Sequence, residues 1–419
     1  MEPRDSNWES AFCILPPFLF SIFNFRPYNF IPLQKYPFLA KRRLGFELGY
    51  KGSTPNLLPT RPPVVVKSNQ FQAKQMEKLV PNWYSAAQPL PETYIFPPDV
   101  RPGKFSIAPS SKDIPVIDLG SQSQSHDRAH VIQQILEASQ EFGFFQVINH
   151  GIPEALMNDT MDVFKEFFEL PLEEKRASIH SDDPNKLCKL IHSSVNYDWE
   201  EAHLWRDFIR HPCEPLEKFT PIWPRKPTKY REHVSKCFIQ VKKVALDILE
   251  LIGEGLGIGS EYFSDELSKE TDIFVNHYPP CPDPSLTLGI TKHSDPQLIT
   301  ILLQGDVSGL QVFKDGEWIG VEPIANGLVV NIGYQLRIIS NGKLKCAEHR
   351  VVTNSSTVRT TIGFFITPSP DCFIEPAAAL INASNPRLYR GFRYEEFRAN
   401  YFKKQGKTEV VLEPFKIES

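Results

Sequence analysis

The chain has 419 residues, with 46 Lys and Arg against 50 Asp and Glu and a formal net charge of -4. Hydrophobic residues make up 41% and charged residues 23%, which excludes a wholly disordered chain. Near-balanced charge argues against polyanion binding, and 7 cysteines without a CxxC pair argue against a disulfide framework or a Cys-rich zinc module. These features point to a reducing, cytoplasmic setting with neither nucleic acid nor membrane as partner.

Seventeen of the 37 prolines fall within the first 110 residues. The apolar run over 11–23 is interrupted by Pro16 and Pro17 and falls short of the roughly 20 residues that span a bilayer. Glu2, Asp5 and Glu9 spoil a signal or transit peptide. Residues 1–75 show no helical or strand period and are read as a poorly ordered, dispensable extension. Met76 opens an N-terminal arm over 76–112.

From Asp113 the pattern sharpens, and 113–225 form an N-terminal region. Ile114–Leu119 reads as a short strand. Ser125 starts a helix with the stripe Val131, Ile132, Ile135, Leu136 and Phe142, ended by Gly143. Phe144–Ile148 is a strand, and Pro153 opens a helix burying Met157, Val163, Phe164 and Phe167. A long helix after Pro227, reaching about Leu256, dominates 226–269. Strands are predicted over Thr271–Tyr278, Leu298–Gln304, Gly309–Phe313, Trp318–Val321, Gly327–Ile332, His349–Thr353 and Arg359–Thr367. Asp315-Gly316 marks a hairpin. So many short strands in 270–370 predict a jelly roll or barrel, and helices before strands make the chain α+β. A last helix, Tyr394–Lys403, lies in the C-terminal segment 371–419.

His-x-Asp occurs twice, where chance allows about half an occurrence. His180-Ser181-Asp182 sits in a polar stretch and reads as a solvated loop. His293-Ser294-Asp295 leads instead into the apolar strand Leu298–Leu303. Residues two apart in extended chain share a face, so His293 and Asp295 can converge on one ion. His349, opening a later strand, supplies a third ligand. Two His and one carboxylate form the facial triad that suits non-haem Fe(II), with three positions left open. Ten residues on, Arg359 and Thr361 share one strand face and can clamp a carboxylate through guanidinium and hydroxyl.

With these motifs, the chain from about Met76 onward resembles the plant soluble Fe(II)/2-oxoglutarate-dependent dioxygenases. The resemblance rests on Phe142-Gly143-Phe144-Phe145, Val147-Ile148-Asn149-His150-Gly151 and Asn276-His277-Tyr278-Pro279-Pro280-Cys281-Pro282. It continues through His293-Ser294-Asp295, Gly309-Leu310-Gln311-Val312, Glu348-His349-Arg350-Val351 and Arg359-Thr360-Thr361. The ending, from Ile374-Glu375-Pro376 to Leu388-Tyr389, is most similar to the hyoscyamine hydroxylase-like branch. The resemblance implies a double-stranded β-helix with flanking N-terminal helices and a C-terminal lid helix. Fe(II) is then held by His293, Asp295 and His349, and 2-oxoglutarate by Arg359 and Thr361, with Tyr278 and Asn276 as further contacts. O₂ is the second co-substrate and ascorbate a supporting reductant.

Phe365 is placed to stack on a small-molecule substrate, in a pocket lined by Lys189–Phe208 and the C-terminal helix. The resemblance also implies a monomer that hydroxylates a specialised metabolite or hormone, releasing succinate and CO₂. The pattern departs at Tyr334, where many relatives carry Asp, so Tyr334 is expected to alter packing or the substrate pocket. His277 replaces the first of two tyrosines and reads as a structural neighbour rather than a fourth ligand. Two other readings stay open: an iron oxidase that does not use 2-oxoglutarate, and a catalytically silent jelly-roll binding protein.

Overall fold

The computed structural model describes residues 89–102, 114–120, 125–179, 187–195, 197, 200–404, 406 and 408–417. The proposed extension 1–75 and the His180-Ser181-Asp182 motif lie outside the described residues.

In chain order the elements are β1 (Val116–Asp118), α1 (Ser125–Glu141), β2 (Phe144–Ile148), α2 (Glu154–Glu169), α3 (Leu172–Ile179), β3 (Lys189–His192) and β4 (Asp207–Pro212). They continue with α4 (Leu216–Phe219), α5 (Tyr230–Leu256), β5 (Glu270–Tyr278), β6 (Ile290–His293), β7 (Ile299–Leu303), β8 (Leu310–Lys314), β9 (Glu317–Gly320) and β10 (Leu328–Ile332). The last are α6 (Tyr334–Ile339), β11 (His349–Val351), β12 (Arg359–Thr367), β13 (Phe373–Ile374), β14 (Phe392–Arg393), α7 (Tyr394–Lys403) and α8 (Thr408–Val411).

An eight-stranded sheet runs β1-β2-β10-β7-β12-β5-β4-β3, and a four-stranded sheet runs β6-β11-β8-β9. Strand alternation gives the large sheet two different faces. Its outer face carries Phe145, Val147, Ile273, Val275, Ile301, Ile362 and Phe364, which join a core shared with α1, α2 and α5. The 27-residue α5 fits that layer because Val234, Phe238, Val241, Ala245, Ile248 and Ile252 recur at helical spacing and are all buried. Each such side chain stabilises the fold by roughly 1.5–3 kcal/mol. Gly257 ends the helix at φ 70°, a conformation that only glycine adopts without steric penalty.

The inner face meets the small sheet. Phe144, Tyr278 and Val329 from one side pack with Leu310, Val312 and Val351 from the other. This facing pair of sheets is the double-stranded β-helix. β8 and β9 join through Asp315 (φ 52°) and Gly316 (φ 89°), the two positive φ values of a tight hairpin.

All seven strands predicted after Glu270 are present. The sequence reading missed β3, β4, β6, β13, β14 and the short helices α3, α4, α6 and α8. The N-terminal arm is fastened to the hairpin β3–β4, where the Tyr94 hydroxyl meets His192 Nε2 at 2.6 Å. His192 Nδ1 in turn lies 2.6 Å from Asp207 Oδ1. This chain of hydrogen bonds lets Asp207 sit in a buried strand.

Alternation in β12 gives a direct test. Phe364 is 1% exposed on the core side, whereas Phe365 is half-buried on the inner face. Phe364→Ala is expected to lower stability by about 3–5 kcal/mol in urea unfolding, and Phe365→Ala by less than half as much.

Candidate active site

The three residues singled out as ligands come together. His293 ends β6, Asp295 follows it two residues later, and His349 begins β11 directly opposite His293 in the ladder. Asp295 Oδ1 lies 3.6 Å from His293 Nε2 and 3.8 Å from His349 Nε2, and the two imidazole rings are 4.2 Å apart.

Surrounding bonds decide which atoms face inward. His293 Nδ1 donates to Thr291 O at 2.9 Å, and His349 Nδ1 to Ala347 O at 3.3 Å. A carbonyl can only accept, so each Nδ1 holds the proton and each Nε2 presents a lone pair. Asp295 is oriented in the same way. Thr300 Oγ1 donates to its Oδ2 at 2.6 Å and Asn331 Nδ2 at 2.7 Å, leaving Oδ1 turned to the imidazoles. Gln297 Nε2 donates to Thr300 Oγ1 at 2.7 Å and fixes that hydroxyl in turn.

Burial alone would raise the Asp295 pKa. The imidazoles and the two donors outweigh it and hold the carboxyl below the usual carboxylate range. Burial, together with neighbouring His349, lowers the pKa of His293, so the imidazole stays neutral as a ligand must. Among the described residues, this is the only group of three or more His, Cys, Asp or Glu placed to hold a metal. The donor set of two imidazole nitrogens and one carboxylate oxygen fits Fe(II).

The co-substrate candidates line the facing strands. β12 pairs with β5 so that Arg359 lies opposite Tyr278 and Thr361 opposite Asn276. Arg359 is 2% exposed. Its Nε donates to Val307 O at 2.9 Å, and its guanidinium lies 5.4 Å from the centre of the Tyr278 ring. Its Nη2 is buried without any hydrogen-bond partner. An orphaned buried donor on a cation is costly, and a bound carboxylate satisfies it. The site therefore fits 2-oxoglutarate as well as iron. Gly309 permits this arrangement, since a Cβ there would stand 3.1 Å from Arg359 Cδ and 3.0 Å from Val352 O. Asn276 is already engaged, its Oδ1 accepting from Arg206 Nη1 at 2.8 Å.

Phe365 lies on the same face as Arg359 and Thr361, edge-on to Phe274 at 4.8 Å. Tyr334 lies elsewhere. Its ring is 2% exposed and packs on Phe397 of α7, and its main-chain N–H donates to Asp295 O at 2.9 Å. It borders a separate cavity of about 300 Å³ with Ser294, Arg337 and Glu348, lined by none of the three ligands. Of the two effects expected of Tyr334, altered packing is the one seen. His277 points to the outer face, stacked on Phe168 at 4.5 Å with Nδ1 3.1 Å from Thr360 Oγ1, and is a structural neighbour.

Sequence reasoning missed Thr300, Asn331 and Arg206. The first two could have been found as lone polar residues inside apolar strands, Ile299-Thr300-Ile301 and Val330-Asn331-Ile332.

A jelly roll with two imidazoles and one carboxylate at the seam of its sheets, beside a buried guanidinium short of one acceptor, defines a class: non-haem iron enzymes with a carboxylate-bearing co-substrate. Known proteins agree. The 2OG-Fe(II) oxygenase superfamily matches residues 270–368, and the N-terminal region of the non-haem dioxygenase in morphine synthesis matches 114–231. Hyoscyamine 6-dioxygenase of Hyoscyamus niger is 42% identical over 352 residues, covering 82% of this chain and 99% of the relative. Flavanone 3-dioxygenase 2 of Oryza sativa subsp. japonica is 40% identical, covering 78% and 94%. The crystal structure of JOX2 in complex with 2OG, Fe and JA superposes with a TM-score of 0.66 at 32% identity, covering 81% of this chain and 93% of that one. The chain belongs to the 2OG-Fe(II) oxygenase superfamily and is a 2-oxoglutarate-dependent dioxygenase.

Two predictions follow from the bonds around the site. Thr300→Val and Asn331→Leu each free Asp295 Oδ2 and are expected to weaken Fe(II) binding roughly 10- to 100-fold by competition with a chelator. His277 gives a pH signature, because burial pushes it from 6.5 down to about 4. Between those values the unfolded chain binds a proton that the folded chain excludes, so stability present at pH 7 is lost as pH falls. His277→Gln is expected to reduce that loss by on the order of 1–3 kcal/mol, measured by urea unfolding at pH 7 and pH 4.5.

Proposed function

We propose that the chain oxidises a small organic molecule by hydroxylation, with His293, Asp295 and His349 as the Fe(II) ligands and Arg359, Thr361 and Tyr278 as the anchor for 2-oxoglutarate. The observation that carries this reading is the unpartnered Nη2 of Arg359, aimed into the same cleft as the triad. An iron oxidase without 2-oxoglutarate would have no use for that donor, and a silent binding protein no use for an ordered set of bare imidazole nitrogens.

When bound, iron with 2-oxoglutarate and O₂ supplies an oxidant able to take hydrogen from a C–H bond, releasing succinate and CO₂. The chain's own residues do the rest. His293 and His349 offer Nε2, and Asp295 offers Oδ1, with Oδ2 occupied by Thr300 and Asn331 so that the carboxylate cannot rotate. Arg359 and Thr361 fix the far carboxylate of the co-substrate, and the Tyr278 hydroxyl faces the same space. Phe365 and Phe274 keep water from one wall and give the substrate an apolar surface. Ascorbate serves as an external reductant that restores Fe(II) after turnover without substrate. The acceptors named for hyoscyamine 6-dioxygenase and flavanone 3-dioxygenase 2 support a specialised metabolite or hormone as the substrate.

Titrating 2-oxoglutarate into the anaerobic Fe(II) protein, followed by its metal-to-ligand charge-transfer band, tests the reading. His293→Ala, Asp295→Ala and His349→Ala are each expected to abolish the band and turnover. Arg359→Ala is expected to retain iron while 2-oxoglutarate affinity falls roughly 30- to 4,000-fold, as for truncating one member of a buried charge pair. Arg359→Lys is expected to be intermediate and Thr361→Ser nearly neutral. Wild-type affinity in Arg359→Ala would remove the carboxylate clamp and return the oxidase reading.

A further inference from the structure

The inner face of the large sheet extends beyond the co-substrate strands onto β4. Register places Phe208 opposite Asn276 and Arg210 opposite Phe274, so these residues share the face that carries Arg359 and Phe365. Three phenyl rings interlock there. Phe208 stacks on Phe274 at 6.0 Å, and Phe274 meets Phe365 edge-on at 4.8 Å. Phe274, Phe365 and Arg210 are each half-buried, while their neighbours on the outer face are buried completely. That contrast marks an open cleft with an aromatic floor.

Two guanidiniums lie on this floor, Arg206 at 4.7 Å from the Phe208 ring and Arg210 at 5.1 Å from the Phe274 ring. Their electrostatic situations differ. Arg210 is neutralised by Asp272 at 2.7 Å. Arg206 has only neutral partners: Nε donates to Ser193 O at 2.9 Å and Nη1 to Asn276 Oδ1 at 2.8 Å, and the guanidinium also bonds the Tyr278 hydroxyl. Among the described residues no carboxylate lies within ion-pair distance of it. The nearest carboxylate, Glu200, acts on it only at longer range. Its contacts with Asn276 and the Phe208 ring place the cation on the inner face of the sheet.

A half-buried cation held by neutral acceptors above an apolar floor loses hydration without gaining a counter-ion. In the reading above the co-substrate carboxylate is assigned to Arg359 on β12, which β5 separates from β4. We propose that Arg206 is the substrate-recognition residue, and that the substrate class is a ring-bearing monocarboxylic acid. Its ring rests on the half-buried Phe274 and Phe365, and its carboxylate pairs with Arg206. The inference rests on the dioxygenase reading above and adds the charge and shape of the molecule oxidised. Arg206 is thus specificity-determining. It selects acids over their neutral analogues and holds the ring between its own strand and the iron ligands.

The test uses the full chain loaded anaerobically with Fe(II) and 2-oxoglutarate. The probes are phenylacetic, 3-phenylpropanoic, 4-phenylbutanoic and cinnamic acids, each against its methyl ester. Calorimetry gives the affinities, and displacement of the charge-transfer band reports binding beside the iron. At least one acid is expected to bind about tenfold or more tightly than its ester. Arg206→Gln is expected to weaken that acid roughly 10- to 30-fold while leaving the ester within about threefold of wild type and lowering 2-oxoglutarate affinity far less than Arg359→Ala does. Arg206→Lys, which keeps the charge and the bulk, is expected to retain part of the preference and covers the case in which the glutamine variant does not fold.

Acids that bind no better than their esters, or no binding by any member of the series, would overturn the proposal while the 2-oxoglutarate band stands. So would a fall in 2-oxoglutarate affinity in Arg206→Gln as large as that in Arg359→Ala, which would assign this guanidinium to the co-substrate. Failure of the wild-type band to form would instead remove the dioxygenase reading, and the proposal with it.

Discussion

The nine-residue register between β12 and β5 governs where everything else in the cleft can be. Arg359 lies opposite Tyr278, Thr361 opposite Asn276, Gly363 opposite Phe274 and Phe365 opposite Asp272. Because a strand alternates, a slip of one residue would turn the guanidinium toward the helices and Ile362 and Phe364 toward the iron ligands. The register is held by the other face, where Ile273, Val275, Ile362, Phe364 and Ile366 are almost wholly buried against the helical layer. Helix packing thus sets the position of polar groups that the helices never touch.

Charges inside this protein are handled by local rules. Asp295 is ionised in a buried place because two donors and two imidazoles surround it. Lys242 is half-buried beside Glu214 at 2.6 Å and also donates to Thr271 Oγ1 at 3.0 Å. His192 and Asp207 are paired at 2.6 Å deep in the sheet. Against this background Arg359, with an unmet nitrogen, and Arg206, without a counter-ion, both lie on the inner face of the large sheet, while Arg350 of β11 is a further buried arginine without a carboxylate, bonded to Gln311. Incomplete pairing there is what makes the cleft a place for anions.

The sequence displayed most of this arrangement where one physical signal stood alone. Arg359–Thr367 alternates cleanly, Asp315-Gly316 can scarcely be anything but a hairpin, and the triad residues lie beside apolar strands. Other elements were hidden because two signals overlapped. In Asp207-Phe208-Ile209-Arg210-His211 both faces carry charge, since one is met by buried His192 and the other by the open cleft. No apolar alternation remains to betray β4, and with it Arg206 escaped notice. β3 and β6 are four residues each, too short for a period to show. Tyr334 drew notice because it stands where many relatives of the resembled family carry Asp, which left packing and pocket equally open. Only the start of α6 at that point reveals that its ring turns back onto α7.

The two sheets divide the chemistry between them. The proposed iron ligands all belong to the small sheet or the loop leaving it, while the proposed co-substrate anchors Arg359, Thr361 and Tyr278 belong to the large one. No covalent path shorter than a whole connection joins the two halves of the site. What sets their separation is the apolar layer in which Val329, Phe144 and Leu302 meet Val312, Leu310 and Val351. That layer acts as a gauge block. Its thickness, fixed by close-packed side chains rather than by any ligand, sets how long a molecule must be to reach from metal to guanidinium. Thinning or thickening it by a single methylene would change which 2-oxo acids fit, although no residue that touches them had been altered.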